Sequence, residues 1–377
     1  MAATRAEEAP VITSHHQLND DVVTEILLRL PSTSVLRFRA VSRAWRAITT
    51  RPDFLAAHAR RRPLELIVAE GLGGALHAVP LDDGLDVDAR TIRCLLPSTP
   101  RAAHLIASCD GLLLLEVRGH AINNVERLLV CNPVTRQWTS VPLPRSGHTL
   151  TRACGFYPHS PSGEHRLLFL TNDDERGGMG TSASHYVRSL EAGETRVLGP
   201  AAATVHMFTL TPRALQYRGN LHWVEHPEAE EAQEIVVFDT VQETFRRMPR
   251  PPVGSFYDAT DLFLLETAQG MLAVAAMRWG SVDIWVMEDY NNGQSWTRRH
   301  RIDLPPPLRH VGWVVMTWQN ALLSGYSPSD VAVLYDMTEK KVVLKQMQLR
   351  CTDHLTGHVF RESLQRHAFF DVQQEQP

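Results

Sequence analysis

The feature that most constrains the fold is a repeat of about fifty residues that begins after Arg62. Two kinds of sequence marker recur in it. The first is a small-residue turn leading into a buried strand, at spacings of 52, 56, 51 and 50 residues: Gly111, Gly163, Gly219, Gly270 and Asn320. The second is a strand that ends in a polar turn, at spacings of 55, 52, 49 and 48 residues: Cys131, Tyr186, Phe238, Met287 and Tyr335. Because both markers keep the same phase, we expect each copy to be one unit of the fold.

Each repeat contains about four short segments rich in valine, leucine and aromatic residues, separated by Gly, Pro, Asn and Asp, which is the pattern of β-strands. A period near fifty with four strands per unit is typical of a kelch-like β-propeller, whereas WD repeats span about 40 to 45 residues. Residues 63–377 number 315, which is enough for about six four-stranded blades. The alternative is a tandem of β-sandwiches whose period arises by chance.

The first part of the chain has a different, helical pattern. Pro31 ends a first helix, Ser32 or Ser34 can cap a second, and Ser42 can cap a third that ends near Pro52. The first helix bears an apolar stripe at steps of three and four residues: Val22, Val23, Ile26, Leu27 and Leu30. A unit of about forty residues usually needs a disulfide, a metal or a partner. Residues 18–55 contain neither cysteine nor histidine, so a partner is the remaining means of stabilisation.

The same segment resembles an F-box. The matching positions are Leu18, Asp20, Asp21, Glu25, Ile26, Leu27, Arg29, Leu30, Pro31, Leu36, Arg37, Phe38, Val41, Ser42, Arg43 and Trp45. The segment departs from the family at Asn19, where proline is usual, and at Ser42, where cysteine is commoner. Residues 108–144 also resemble the F-box-associated domain of plant proteins, in which a glycine turn and an Asn-Pro turn mark one blade.

The resemblance implies a fold class and an organisation. It implies a disordered tail at 1–14, a small all-α, three-helix F-box domain at 15–62, and an all-β, kelch-like F-box-associated propeller at 63–377. It also implies a non-catalytic subunit of an SCF-type ubiquitin ligase, with no cofactor, in which the F-box docks on a Skp-type adaptor and through it a cullin, and the propeller binds an unknown protein target. The implied adaptor-binding residues are Leu18, Ile26, Leu27, Leu30, Pro31, Leu36, Val41 and Trp45.

Other readings stay open at this point. The helices could be a cap on the protein's own core, or the propeller mouth could bind a small molecule or act as an enzyme. The helical segment could instead bind nucleic acid, because nine arginines face a single acid, Asp53, between positions 29 and 62. These arginines are Arg29, Arg37, Arg39, Arg43, Arg46, Arg51, Arg60, Arg61 and Arg62. No DNA-reading motif accompanies them, so we predict no nucleic-acid partner.

Charge and cysteine content bear on partners and location. Residues 1–62 hold ten arginines against six acids, a charge of +4, so the net charge of −4 leaves −8 for the rest. A basic N-terminal segment followed by an acidic remainder is compatible with adaptor docking.

Five scattered cysteines without a CxxC motif are typical of free thiols in a reducing compartment. The chain has no run of eighteen apolar residues, so we expect no membrane partner and a cytoplasmic or nuclear location.

Three minor features complete the predictions. Cys351, His354 and His358, with His367 as a fourth, have the ligand types of a zinc site, but Gly357 and the abundance of histidine argue against one. The long loops 172–184 and 226–233 are candidates for target recognition. The three lysines, Lys340, Lys341 and Lys345, lie in one predicted hairpin, so side-chain ubiquitination of the chain itself is restricted to that place.

Overall fold

The computed structural model divides the chain into two compact units, Met1–Arg62 and Pro63–Pro377. It describes residues 19–70, 74–80, 93–96, 103–118, 125–143, 150–172, 183–200, 214–224, 234–253, 262–267, 269–278, 280–304, 311–316, 320–325, 332–336, 339–343 and 353–371. The tail predicted to be disordered, 1–14, lies outside these ranges, as does Leu18.

The N-terminal unit consists of four helices in its described residues: α1 Asp20–Arg29, α2 Ser32–Val41, α3 Arg43–Thr49 and α4 Pro52–Arg60. The prediction of three helices is therefore wrong in number. Pro52 was interpreted as a helix breaker, but it occupies the first turn of α4, where its missing N–H costs nothing and its fixed φ suits a helix. The third helix thus ends at Thr49, before Pro52, and Pro52 begins the fourth helix.

The caps of these helices follow local chemistry. The Asn19 side chain accepts a hydrogen bond from the Asp21 N–H at 3.3 Å, and Asp20 and Asp21 lie in the first turn, where the helix dipole favours acids. Ser42 caps α3 as predicted, accepting from the Trp45 N–H at 3.4 Å. The predicted serine cap of α2 is wrong: Pro31 is the N-cap, and Ser32 is already helical and buried.

A small core joins the four helices. Its apolar members are Val23, Leu27, Leu28, Val35, Ile48 and Phe54. Polar contacts fix the ends of the helices around it: the His58 Nε2 atom lies 3.0 Å from the Leu30 carbonyl oxygen, and the Arg39 guanidinium donates to the Thr49 carbonyl oxygen at 2.6 Å. These contacts bring α4 back to the end of α1 and the end of α3 back to α2.

The larger unit is built from four-stranded antiparallel sheets. Five of them each use four consecutive strands, and one more combines the first three strands with the last. Sheet I has the order β24-β1-β2-β3, with β1 Glu65–Glu70, β2 Leu76–Pro80, β3 Arg93–Leu96 and β24 Asp353–Phe360. Sheet II comprises β4 Ala103–Cys109, β5 Leu112–Arg118, β6 Val125–Asn132 and β7 Gln137–Val141. Sheet III comprises β8 Leu150–His159, β9 Glu164–Asn172, β10 Ala183–Ser189 and β11 Thr195–Pro200.

The remaining sheets repeat this plan. Sheet IV comprises β12 Leu215–Tyr217, β13 Asn220–Val224, β14 Glu234–Asp239 and β15 Thr244–Pro249. Sheet V comprises β16 Leu262–Glu266, β17 Leu272–Arg278, β18 Ser281–Met287 and β19 Trp296–Asp303. Sheet VI comprises β20 Val311–Met316, β21 Asn320–Gly325, β22 Ala332–Asp336 and β23 Lys341–Val343. A short 3-10 helix, Ala368–Phe370, follows β24.

The two sequence markers occupy equivalent places in sheets II to VI. The first marker lies at the junction of the first and second strands of each sheet, and its four glycines all have positive φ, between 71° and 79°. The second marker lies in the third strand of each sheet. Four of its members pack against the preceding sheet: Tyr186 against II, Phe238 against III, Met287 against IV and Tyr335 against V. The second marker therefore recurs because each of these sheets makes the same kind of contact with the sheet before it.

The sheets close into a ring. Apolar clusters join sheets II to VI in succession, and β24 of sheet I contacts both β20 of sheet VI and β4 of sheet II. Sheet I is itself closed by antiparallel pairing of β1 with β24, from Glu65 opposite Phe360 to Glu70 opposite Asp353. Pairing of the two ends of the chain within one sheet removes the free edge that each end would otherwise expose.

The chain continues past β24 and packs on sheet II. The Asn132 side-chain amide donates to the Ser363 carbonyl oxygen at 3.1 Å, and Phe369 and Phe370 enter the apolar cluster between sheets II and III. Gly111 allows the close approach: a Cβ atom placed there would lie 2.4 Å from the Ser363 Cβ. We call residues 361–371 the C-terminal segment.

We predict that Gly111→Ala destabilises the propeller more than Gly163→Ala does. Both glycines have positive φ, so each alanine introduces backbone strain of about 1 kcal/mol. Nothing lies within 4 Å of a Cβ at Gly163, whereas at Gly111 the alanine would displace the C-terminal segment and cost about 1–3 kcal/mol more. Thermal unfolding of the full chain measures the difference, and equal melting temperatures for the two variants would show that the segment contributes nothing.

Candidate functional site

Large apolar side chains are exposed on the helical unit to a degree unusual for this chain. Six such side chains are exposed among the described residues, and three of them lie within α1 and α2: Val22 at 47%, Ile26 at 46% and Val41 at 72%. The other three, Leu64, Val197 and Val241, are spread over the larger unit. Exposed apolar groups concentrated in so small a unit mark an interaction surface.

The geometry of α1 explains this exposure. Val23 and Leu27 are four residues apart and point into the small core, whereas Val22 and Ile26 have the same spacing one residue earlier and lie on the neighbouring, exposed face. The apolar stripe is therefore wider than the core behind it can cover. The surplus is available to a partner.

The second and third helices add a half-buried aromatic pair. The rings of Phe38 and Trp45 meet edge to face, with centroids 5.1 Å apart and planes at 85°. Leu30 and Leu36 are also half-buried. Side chains of this kind, half covered by their own domain, lose little entropy when a partner covers the rest, because their rotamers are already restricted.

The structure separates the eight predicted adaptor-binding residues into groups. Leu18 lies outside the described residues. Leu27 is only 1% exposed, so it belongs to the core of the helical unit and can support a docking surface but not contact a partner. The accessible or half-accessible members are Ile26, Leu30, Pro31, Leu36, Val41 and Trp45. Val22 is as exposed as Ile26 but is not among the predicted residues, because periodicity places it on the same stripe as Val23, which is buried.

The arginines of the helical unit are largely engaged within it. Five of the nine have internal partners: Arg29 and Arg61 with Glu25, Arg39 with Thr49, Arg51 with Asp53, and Arg62 with the Leu28 carbonyl oxygen. The hydrogen bond from Arg61 lowers the pKa of the Glu25 carboxyl. Arg39, Arg61 and Arg62 hold helices to one another, whereas Arg29 and Arg51 pair locally. These internal contacts weaken the interpretation of the arginines as a nucleic-acid footprint.

In the propeller, the turns between the first and second strands of each sheet and those between the third and fourth strands lie at the same end, because consecutive strands are antiparallel. Polar side chains from these turns join neighbouring sheets. Three donors converge on the buried Glu243 of sheet IV: the Tyr157 hydroxyl at 2.7 Å, Arg166 at 2.8 Å, and Arg196. This carboxylate therefore serves to join sheet III to sheet IV.

A second polar contact joins sheets IV and V. The Tyr290 hydroxyl lies 2.7 Å from the His222 Nε2 atom and accepts a hydrogen bond from Arg246 at 2.8 Å. The Arg246 and Arg218 guanidinium groups also lie over the Tyr290 ring. Burial lowers the pKa of His222 to about 4, so its imidazole is neutral near pH 7.

A third polar contact surrounds His165 between sheets II and III. The His165 ring lies 3.2 Å from a Glu191 carboxylate oxygen and 3.4 Å from an Asp110 carboxylate oxygen. Burial opposes a charge on His165, but its hydrogen bonds to Asp110 and Glu191 prevail and raise its pKa to about 9. Burial lowers the pKa of the neighbouring His367 to about 4, and the charge on His165 acts in the same direction.

The other predicted features lie mostly outside the described residues. Cys351, the side chain of His354, Lys345, nearly all of the loop 172–184 and the whole of 226–233 fall there. His358 is half-buried, His367 lies against His165, and Lys340 and Lys341 are exposed. Three cysteines, Cys109, Cys131 and Cys154, are buried free thiols. Within the described part of the chain, no helix is long and apolar enough to span a bilayer.

Comparison with known proteins matches both units to families. Residues 16–56 match the F-box domain, and residues 91–361 match the F-box associated beta propeller domain. F-box protein At3g07870 of Arabidopsis thaliana is 25% identical over 334 residues, covering 81% of this chain and 78% of the relative. F-box protein CPR1 of the same plant is 26% identical over 355 residues, covering 86% and 80%.

A third Arabidopsis relative, putative F-box/kelch-repeat protein At3g22730, is 22% identical over 300 residues and covers 76% of this chain and 77% of its own length. A solved structure of oligogalacturonate lyase in complex with manganese covers 73% of this chain and 72% of that chain at 9% identity, with a TM-score of 0.44. The family matches span both units and most of the chain. This chain belongs to the family of F-box proteins that have an F-box-associated β-propeller domain.

Proposed function

We propose that this chain is the substrate-receptor subunit of an SCF-type ubiquitin ligase. The four-helix unit docks on a Skp-type adaptor and through it joins a cullin, and the propeller, which is kelch-like in its repeat period, binds a protein target. The chain itself performs no catalysis in this proposal. The observation that supports it most directly is the exposure of Val22, Ile26 and Val41 on a helical unit of the F-box family.

The size of the helical unit agrees with docking. A stable interface of standard size buries about 800 Å² on each partner, or about 20–30 residues a side. The helices α1 to α3 span residues 20–49, so a partner that covers their exposed apolar side chains would contact a large fraction of the unit. The partner thus supplies the burial that a domain of this size lacks.

The propeller suits target binding because its turns are held from within. The polar contacts at Glu243 and Tyr290 join adjacent sheets at the end where the first-to-second and third-to-fourth turns lie. Rigid turns lower the entropy that a binding surface loses on association. The long loops 172–184 and 226–233 are proposed as the variable part of target recognition. They connect second to third strands, so they belong to the opposite end of the sheets, and their length rather than these polar contacts supports their role.

The proposal includes a location in the cytoplasm or nucleus, the compartments in which free thiols persist. Its support is the set of buried free cysteines, Cys109, Cys131 and Cys154, together with the absence of a CxxC motif from the sequence. Burial raises the pKa of the Cys154 thiol to about 12, so it is protonated and unreactive near pH 7.

We predict that Ile26→Glu combined with Val41→Glu weakens adaptor binding at least tenfold. Both side chains are exposed, so the substitutions leave the helical core intact but place two charges in the apolar surface, and we expect at least a tenfold rise in Kd. Calorimetric titration of the full chain with a recombinant Skp-type adaptor measures the change.

The matched control is Val197→Glu combined with Val241→Glu. These two valines have comparable exposure, 60% and 45%, but lie on the propeller, so adaptor affinity should stay at the wild-type value. Wild-type affinity in the helical double variant, or equal losses in both double variants, would contradict docking through α1 and α2.

We predict that replacing all three lysines by arginine prolongs the lifetime of the chain in cells. Lys340 and Lys341 are exposed at the turn between β22 and β23, and arginine keeps the charge but cannot accept ubiquitin on its side chain. Mass spectrometry of a reconstituted ligase should locate lysine-linked ubiquitin at Lys340, Lys341 or Lys345. An unchanged half-life with intact proteasome dependence would show that these lysines do not control turnover.

A further inference from the structure

The C-terminal segment brings two histidines into contact that are 202 positions apart in sequence. The rings of His165 and His367 meet edge to face with centroids 4.8 Å apart. Both residues are buried, at 4% and 5% exposure. Glu191, in the turn between β10 and β11, completes a group in which one ligand atom from each of the three residues lies within 4.8 Å of the others.

The three residues have the donor types of a transition-metal site. Two imidazoles and a carboxylate are ligands that Zn²⁺ takes at about 2.0–2.2 Å. In a tetrahedral site such bonds separate the ligand atoms by about 3.3 Å, so side-chain rotations that move these atoms by about 1 Å would close the group around an ion. Such movements are within the reach of side chains at a turn and in a segment without regular secondary structure.

The hydrogen bonding of the group is incomplete. The His367 Nε2 atom is buried and has no hydrogen-bond partner among the described groups, whereas both ring nitrogens of His165 lie beside carboxylates, Nδ1 beside Glu191 and Nε2 beside Asp110. A buried imidazole nitrogen without a partner has lost its hydrogen bonds to water and gained none in return. Binding of a metal ion to such a nitrogen would satisfy it.

Aromatic side chains cover one side of the two histidines and exclude water from it. The Phe369 ring stacks on His367 with centroids 5.1 Å apart, and Phe156 lies 6.0 Å from His165. The other side carries the negative charge that a cation needs, because Asp110 is 54% exposed and Glu191 is 25% exposed. An ion therefore has a route from solvent past two carboxylates to two buried imidazoles.

We propose that His165, Glu191 and His367 bind a divalent transition metal, most simply Zn²⁺, which fixes the C-terminal segment across the junction of sheets II and III. A water molecule takes the fourth position, because Asp110 lies beside the other ring nitrogen of His165 from the one that faces Glu191. The metal would join three parts of the propeller: the start of β9, the turn after β10 and the segment that follows β24. All three residues lie within the larger unit.

The test uses the purified full chain, stripped of metal with a chelator and titrated with Zn²⁺ against a chromogenic competitor. We expect one ion per chain at submicromolar Kd and a melting temperature several degrees higher with Zn²⁺. His165→Asn, His367→Gln and Glu191→Gln should each weaken binding, the histidine variants at least a hundredfold. Glu191 lies at a turn and is partly exposed, so its variant tests the site even where loss of a buried histidine prevents folding.

His185→Gln is the matched control. His185 is 1% exposed and lies in the same sheet, but it pairs with Leu170, five residues along β9 from His165, so its variant loses a buried imidazole without touching the proposed ligands. Zinc affinity should be unchanged in it. Equal losses in His185→Gln and His367→Gln would overturn the site, as would the absence of stoichiometric binding by the wild-type chain.

Two cysteine variants separate this ligand set from neighbouring ones. Cys109, with Asp110 and His165, forms a second group of ligand atoms within 4.8 Å of one another. His367 is also the fourth member of the group around Cys351, against which the sequence argues. Cys109→Ser and Cys351→Ser should leave the zinc Kd unchanged, and the Co²⁺-substituted protein should show no thiolate charge-transfer absorption. Loss of binding in either variant would assign the metal to a different set and overturn the proposal.

Discussion

The antiparallel pairing of β1 with β24 is the constraint on which the large unit depends. It joins Glu65–Glu70 to Asp353–Phe360, nearly the full length of the unit apart, and the Thr356 hydroxyl adds a hydrogen bond to the Ile67 carbonyl oxygen at 2.8 Å. Without this pairing sheet I would have three strands and an open edge, and sheets II and VI would each lose the neighbour that β24 provides. Closure of the ring thus lets every sheet bury both of its faces.

The apolar contacts between sheets explain why the sequence repeats. The third strand of each sheet from III to VI places one large side chain against the preceding sheet, from Tyr186 to Tyr335. The glycine turn before it has positive φ, a backbone conformation in which other residues are strained. The glycine turn recurs in sheets II to V, with Asn320 in its place in sheet VI, and the large side chain recurs in sheets III to VI. The chain therefore shows two markers that keep one phase.

The helical unit differs from the propeller because its small core leaves part of its apolar surface exposed. Its core of six apolar side chains closes on itself through α4, yet α1 and α2 leave valine and isoleucine side chains in solvent. Burying the same side chains inside would need a larger core than about forty residues can build. Exposure of this surface is therefore a consequence of the small size of the unit.

The sequence by itself determined the all-α head, the propeller of four-stranded repeats, the positions of both markers and the family, because these depend on local periodicity, turn chemistry and motif. It did not determine α4, since Pro52 can end one helix or begin the next, nor which part of the α1 stripe is buried, since Ile26 and Leu27 differ only in what packs behind them. The meeting of His165 and His367 was beyond it as well. These two residues are 202 positions apart and come together only when the ring of sheets closes. A contact that depends on the arrangement of all the sheets leaves no local pattern in the sequence.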